Sequence, residues 1–246
     1  MSALYAPRSP KPLPLGRGAE RALRQLSRSR GDLAHGRRRR DDGSRVQTAK
    51  TSIDLYWLPL GAGGRSVRLN GQIFEAAVAL LERRPPCDLY HSALVVQTQE
   101  GRFVIESAPI RRGDGTERGV VSEGAVGTRW ARRFRVFRYE LRRWRDGVIP
   151  DVAEAVESPV WLTNDAGLAQ RVLDLVPSVP TPVWGRDELR AGEMWNSNSM
   201  ISWLVARCGL GAELIHPPEG GRAPGWSSGV VVARRQEAVG SFSTRA

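Results

Sequence analysis

With 246 residues and a formal net charge of +11, the chain is long enough to build one sizeable domain with appendages. No run approaches the ~18–20 uninterrupted apolar residues that a bilayer span requires, and the first thirty residues lack the apolar core of a signal peptide, so the expected location is the cytoplasm. Two cysteines, Cys87 and Cys208, supply neither a disulfide framework nor a four-ligand zinc site; both are expected to be reduced and buried as small hydrophobes.

The charge is unevenly spread. Residues 1–50 carry 13 Lys/Arg against 4 Asp/Glu, whereas 51–246 carry a net of only +2. This Pro/Arg/Ser/Gly-rich segment, with its run Arg37–Arg40, has no apolar periodicity. It is expected to be disordered, because it cannot bury enough apolar surface to offset its conformational entropy. One reading is a tail that neutralises phosphates of nucleic acid or meets an acidic partner. The other is an unconstrained extension. The use of 35 Arg and two Lys points to a GC-rich coding sequence, which gives the same composition when read upstream of its true start.

From Ser52 the pattern changes. "SIDLYWLPL" (52–60) predicts a first strand, and Asn70 caps a helix carrying Ile73, Phe74, Ala77, Val78, Leu80 and Leu81 at helical spacing. Pro85 and Pro86 stop it. "DLYHSALVVQTQEGRFVIESAP" (88–109) predicts a hairpin with Leu89, His91, Ala93 and Val95 on one face of its first strand. Residues 110–118 form a charged loop. "GVVSEG" and "RFRVFRYELRRW" (133–144) predict two more strands, the second alternating through Phe137, Tyr139 and Leu141. The arginines Arg132, Arg133, Arg135, Arg138, Arg142, Arg143 and Arg145 are read as a solvated strand edge, with a nucleic-acid groove as the alternative.

A helix over about 164–176, capped by Thr163 or Asn164, faces Leu168, Val172, Leu173 and Val176 inward. "PSVPTPVWG" (177–185) is a proline-stiffened connection. It leads to "EMWNSNSMISWLVARCGL" (193–210), a helix that Gly209 ends. "GVVVARR" (229–235) predicts a last short strand, and 237–246 a flexible tail. Helix, antiparallel-type strands and late helices together make an α+β domain with one main sheet over 52–236.

The helix at 197 opens with Asn196, Ser197, Asn198 and Ser199, more polar groups than a cap requires. Backbone N–H groups at a helix start lack intrahelical partners and favour negative charge. A side-chain oxygen there is either a cap or an attacking group beside an oxyanion site. A serine hydroxyl needs a base to become a nucleophile. Of three histidines, His35 lies in the basic segment, His216 in a proline-flanked loop, and His91 on a strand beside Ser92 and Ala93. A strand histidine and a polar helix start each have a plain structural reading as well. Trp184, Trp195, Trp203 and Trp226 cluster around this stretch, either lining a groove or packing in the core.

Taken together, the strand histidine of "YHSALVV", a carboxylate on the following strand and a helix opening with "N-x-N-S" resemble the circularly permuted papain-like superfamily. That group includes lecithin–retinol acyltransferase-like and PPPDE-type families and permuted NlpC-type peptidases. The resemblance implies a papain-like fold over about 52–235, with His91 as general base, Ser197 as nucleophile and Glu106 orienting the imidazole. Asn196, Asn198 and Trp195 would line the oxyanion and substrate side. Ser197 stands where the family has cysteine, so Ser–His–acid chemistry on an amide, thioester or ester would be weak or absent. The chain is then a papain-like hydrolase or acyltransferase acting on a peptide, acyl or small-molecule substrate, or a catalytically inactive binding protein of that fold. A nucleic-acid binder working through its Arg-rich N-terminus is a third reading. No cofactor or metal is expected.

Overall fold

The computed structural model describes residues 50–60, 83, 85–110 and 119–243, with side chains as far as 239. The predicted helix after Asn70, the charged loop 111–118 and nearly all of the basic segment lie outside the described residues.

Six strands form one sheet: β1 Ser52–Pro59, β2 Tyr90–Thr98, β3 Gly101–Pro109, β4 Val120–Ala125, β5 Arg138–Arg145 and β6 Val160–Thr163. Their order is β4-β5-β3-β2-β1-β6, and every pairing is antiparallel. Three helices follow, α1 Ala166–Leu175, α2 Ser197–Arg207 and α3 Trp226–Ser243. The fold is therefore α+β, with these helices following the sheet strands among the described residues.

Strand alternation gives the sheet two faces with different occupants. Ile53, Leu55 and Trp57 of β1, Tyr90, Leu94 and Val96 of β2, Ile105 of β3 and Tyr139 and Leu141 of β5 enter the main core. Val172 and Leu173 of α1 and Met200, Ile201, Leu204 and Val205 of α2 complete it. Leu58, Ala93, Val95 and Val104 point the other way, into a smaller cluster closed by Ile149.

Helix α3 packs against α2 through a glycine. A Cβ at Gly229 would stand 2.0 Å from the Ser199 carbonyl oxygen and 2.1 Å from Ser202 Oγ, so only glycine permits this approach. Here the structure corrects the sequence reading twice. "GVVVARR" forms a helix, because Val230, Val232 and Ala233 are buried in the main core, and tertiary packing overrides the strand preference of three valines. The helix also runs on to Ser243, through most of the stretch expected to be a flexible tail.

The strand expected over 133–144 begins only at Arg138. Residues 129–133 and 135–137 are 3-10 turns, and their alternating pattern faces solvent. Strand β6, only four residues long, had no clear sequence signal. The cap of α1 is Asp165, whose side chain accepts from the Leu168 amide, one residue beyond the expected Thr163 or Asn164. Cys87 and Cys208 form no disulfide; Cys208 is buried and Cys87 only partly so. Burial pushes the Cys208 thiol up to about 11, which makes it a core residue and no nucleophile.

Candidate functional site at the start of helix α2

The polar residues that open α2 are divided between local capping and long-range ties. Asn196 is the N-cap, its side-chain oxygen accepting from the amides of Asn198 at 2.9 Å and Ser199 at 3.4 Å. Ser199 Oγ returns the contact by accepting from the Asn196 amide at 3.1 Å, which completes a capping box. Two of the first-turn donors that an oxyanion would need are thus occupied by the cap itself.

The remaining hydrogen bonds reach outward. Asn198 Nδ2 donates to the Tyr90 carbonyl of β2 and to the Pro224 carbonyl, both at 2.9 Å. Its side-chain oxygen accepts from Ser92 Oγ at 2.9 Å. Asn196 Nδ2 donates to the same Pro224 carbonyl at 2.8 Å. Ser199 Oγ donates to Gly225 O at 2.7 Å, and Ser202 Oγ to Trp226 O at 2.7 Å. One helix start therefore holds a central strand on one side and the 224–226 turn before α3 on the other. Gly225, at φ +82°, belongs to this joint: a Cβ there would lie 2.5 Å from the Asn196 side-chain oxygen. All of these polar groups are buried, Asn198 to 2% and Ser199 to 0% exposure, and buried polar atoms require such partners.

Ser197 differs from its neighbours. It is 5% exposed, and its hydroxyl makes no hydrogen bond among the described residues. Alternation along β2 puts Ser92 on the α2 side of the sheet, since Ser92 touches Asn198. His91 is paired across from Leu58, shares the parity of Ala93 and Val95, and faces the smaller cluster. The His91 side chain is thus on the face of β2 opposite the one that meets Asn198. The residue that β2 presents to the helix start is Ser92, whose hydroxyl cannot serve as a base.

The environment of His91 agrees with that placement. Loss of solvent pushes its imidazole down to about 4, against an opposing pull from the Asp151 carboxylate. At neutral pH the ring is uncharged and a far weaker base than catalysis near pH 7 favours. Glu106 lies on the same face as His91, yet its carboxylate is engaged elsewhere. Arg142 Nη1 donates to Glu106 Oε1 at 2.8 Å, and the same guanidinium is bonded to Glu140. All three side chains are at most 4–5% exposed. The β2–β3 turn is Gln99-Glu100, with Thr98 opposite Gly101. Arg142 thereby departs from the solvated strand edge expected for its cluster, because the two buried carboxylates need a cation between them.

Trp195 and Trp203 are 1% and 2% exposed and Trp226 9%. They pack in the main core, Trp226 against Trp57 at 5.0 Å between centroids, and so line no open groove. The joint around Pro224 and Gly225 was missed in the sequence; the signal that could have found it is the Pro-Gly pair followed four residues later by Gly229. Among the described residues there is no group of three or more His, Cys, Asp or Glu that could hold a metal ion, and no helix long and apolar enough to cross a membrane.

Fold and joint together define an α+β protein whose central helix is clamped to its sheet by buried amides. Comparison with protein-family models, with curated proteins and with solved structures finds no match to this chain.

Proposed function

We propose that the chain is a catalytically inactive binding protein of papain-like type, in which the position of the nucleophile has become a structural joint. The single observation that supports this reading is strand parity: Ser92 of β2 meets the helix start, so its neighbour His91 belongs with Ala93 and Val95 on the other face of the strand. Without a base within reach, a serine hydroxyl has no route to deprotonation at neutral pH. The engagement of Glu106 with Arg142 and the low basicity of His91 support it further.

One observation favours the hydrolase or acyltransferase reading instead: the Ser197 hydroxyl is the polar group of the helix start that has no hydrogen bond among the described residues. A fluorophosphonate probe separates the two, because it reacts covalently with base-activated serines. The expected result is no modification of position 197 by peptide mass spectrometry, and no turnover of activated esters or thioesters above a Ser197→Ala control. Modification of Ser197 that disappears in His91→Ala would establish the enzyme.

A further inference from the structure

The β4–β5 connection carries the most unusual surface among the described residues. Strand β4 is an edge of the sheet with β5 beside it, and residues 126–137 make the tip of their hairpin, mostly as 3-10 turns. The tip reads "RWARRFRVFR" over 129–138. Val136 is 68% exposed, Trp130 61%, Phe134 47% and Phe137 46%. Four large apolar side chains are exposed within eight residues, Trp130 and Phe134 edge to face at 6.3 Å between centroids, a concentration of the kind that marks an interaction site.

The charge around that patch is one-sided. Five arginines stand in 129–138 with no acidic residue between them. Arg129 is paired with Glu188 at 2.8 Å and Arg138 with Glu123 at 3.5 Å. Arg132, Arg133 and Arg135 have no acidic partner among the described residues, and all are exposed. The complement is therefore an anionic surface that also accepts apolar groups. The chain's own basic segment, with 13 Lys/Arg against 4 Asp/Glu in 1–50, has the wrong sign to cover it.

We propose that the 129–138 tip binds peripherally to an anionic lipid bilayer, seating Trp130, Phe134, Val136 and Phe137 at the headgroup–acyl boundary and setting Arg132, Arg133 and Arg135 against lipid phosphates. Two features favour lipid over single-stranded nucleic acid. Stacking platforms need open aromatic faces, but the Arg133 guanidinium already lies over both Trp130 and Phe134, at 4.7 and 4.9 Å from their centroids. The most exposed member, Val136, offers a base nothing to stack on, while an aliphatic side chain inserts into hydrocarbon as well as an aromatic one does. Aromatic rings with basic side chains reaching back to phosphate are the composition of interfacial anchors. This inference stands apart from the proposed lack of catalysis and depends on none of the residues at the start of α2.

The test is binding of the full chain to vesicles of phosphatidylcholine with phosphatidylglycerol, against phosphatidylcholine alone. Hydrogen–deuterium exchange then maps the contact, because the Arg-rich segment 1–50 would also be drawn to anionic lipid. The expected result is protection of 129–137 by anionic vesicles, and at least about a tenfold weaker partition for Trp130→Ser/Phe134→Ser/Val136→Ser, which keeps every arginine. The loss should persist at raised salt, where the purely electrostatic part is screened. Protection confined to residues outside 129–138 would overturn the proposal. So would protection of 129–137 by a single-stranded oligonucleotide and not by vesicles, which would make the tip a nucleic-acid platform. The exchange map uses the unaltered chain, so it decides the matter even if the triple variant folds poorly.

Discussion

Removing the Asn198 side chain should loosen the joint between α2, β2 and the 224–226 turn, whereas removing the Ser197 hydroxyl should do nothing of the kind. Asn198 is 2% exposed and makes three side-chain hydrogen bonds, to Tyr90 O, Pro224 O and Ser92 Oγ. In Asn198→Ala the Pro224 carbonyl keeps Asn196 Nδ2 as a donor, but Tyr90 O and the Ser92 hydroxyl lose this partner inside the core. Each buried group left unmet costs about 1–3 kcal/mol, so the two together cost about 2–6 kcal/mol. For a domain of this size that corresponds to a midpoint lowered by roughly 4–24 °C. Asn198→Asp should be worse at pH 8, because a buried carboxylate would face two carbonyl oxygens. Such a carboxyl has its folded pKa raised above the unfolded ~3.9, so the folded state binds the extra proton. The gap to the unaltered protein should therefore narrow as pH falls from 8 towards 4.5. Ser197→Ala, by contrast, should stay within about 0.5 kcal/mol, since its hydroxyl has no partner to lose. Urea unfolding of the three variants provides the comparison. Equal costs for Ser197→Ala and Asn198→Ala would refute this account of which residue holds the joint.

Other perturbations probe the same architecture. Gly229→Ala should destabilise by about 3 kcal/mol, because its new Cβ must push helix backbone apart at 2.0 Å; an unchanged denaturant midpoint would show that α3 does not approach α2 so closely. His91 has a folded pKa of about 4 against ~6.5 unfolded, so the unfolded state binds its proton first and stability drains as pH falls through that window. Between pH 7 and pH 5 the loss is at most about 2 kcal/mol, and His91→Gln should remove it; identical pH dependence in both proteins would contradict the desolvated, neutral imidazole. Arg142→Met should cost about 3–5 kcal/mol, since it takes the guanidinium from between Glu106 and Glu140. A midpoint as high as that of the unaltered protein would mean those carboxylates are satisfied without it.

Much of the fold was legible because its signals are local. Ile53, Leu55 and Trp57 alternate as a half-buried strand must, and the 88–109 hairpin and the helix at Ser197 announce themselves by period, cap and terminal glycine. What escaped depends on partners distant in sequence. Nothing within "GVVVARR" says helix; its helicity comes from lying on α2, and Gly229 gains its meaning only from Ser199 and Ser202. In the candidate site, types were legible and directions were not. The residues of the α2 start were recognised as too polar for a cap alone, yet their ties to Tyr90, Pro224 and Gly225 span 26 to 108 residues. Whether His91 or Ser92 meets the helix is a question of one residue of parity. A resemblance of motifs does not fix that parity, because neighbouring strand residues differ in nothing but the face they serve.

The most direct test of the central claim is the reactivity of a thiol placed at position 197. In Ser197→Cys, alkylation of that position by iodoacetamide, followed by peptide mass spectrometry from pH 5 to 10, titrates the thiol in the environment of the helix start. With no base beside it, the helix start and burial alone set the thiol's pKa, so the pH profile of the rate should be the same in the His91→Ala background. A thiol reactive down to pH 6, and made sluggish by His91→Ala, would place the imidazole at the nucleophile and contradict the account.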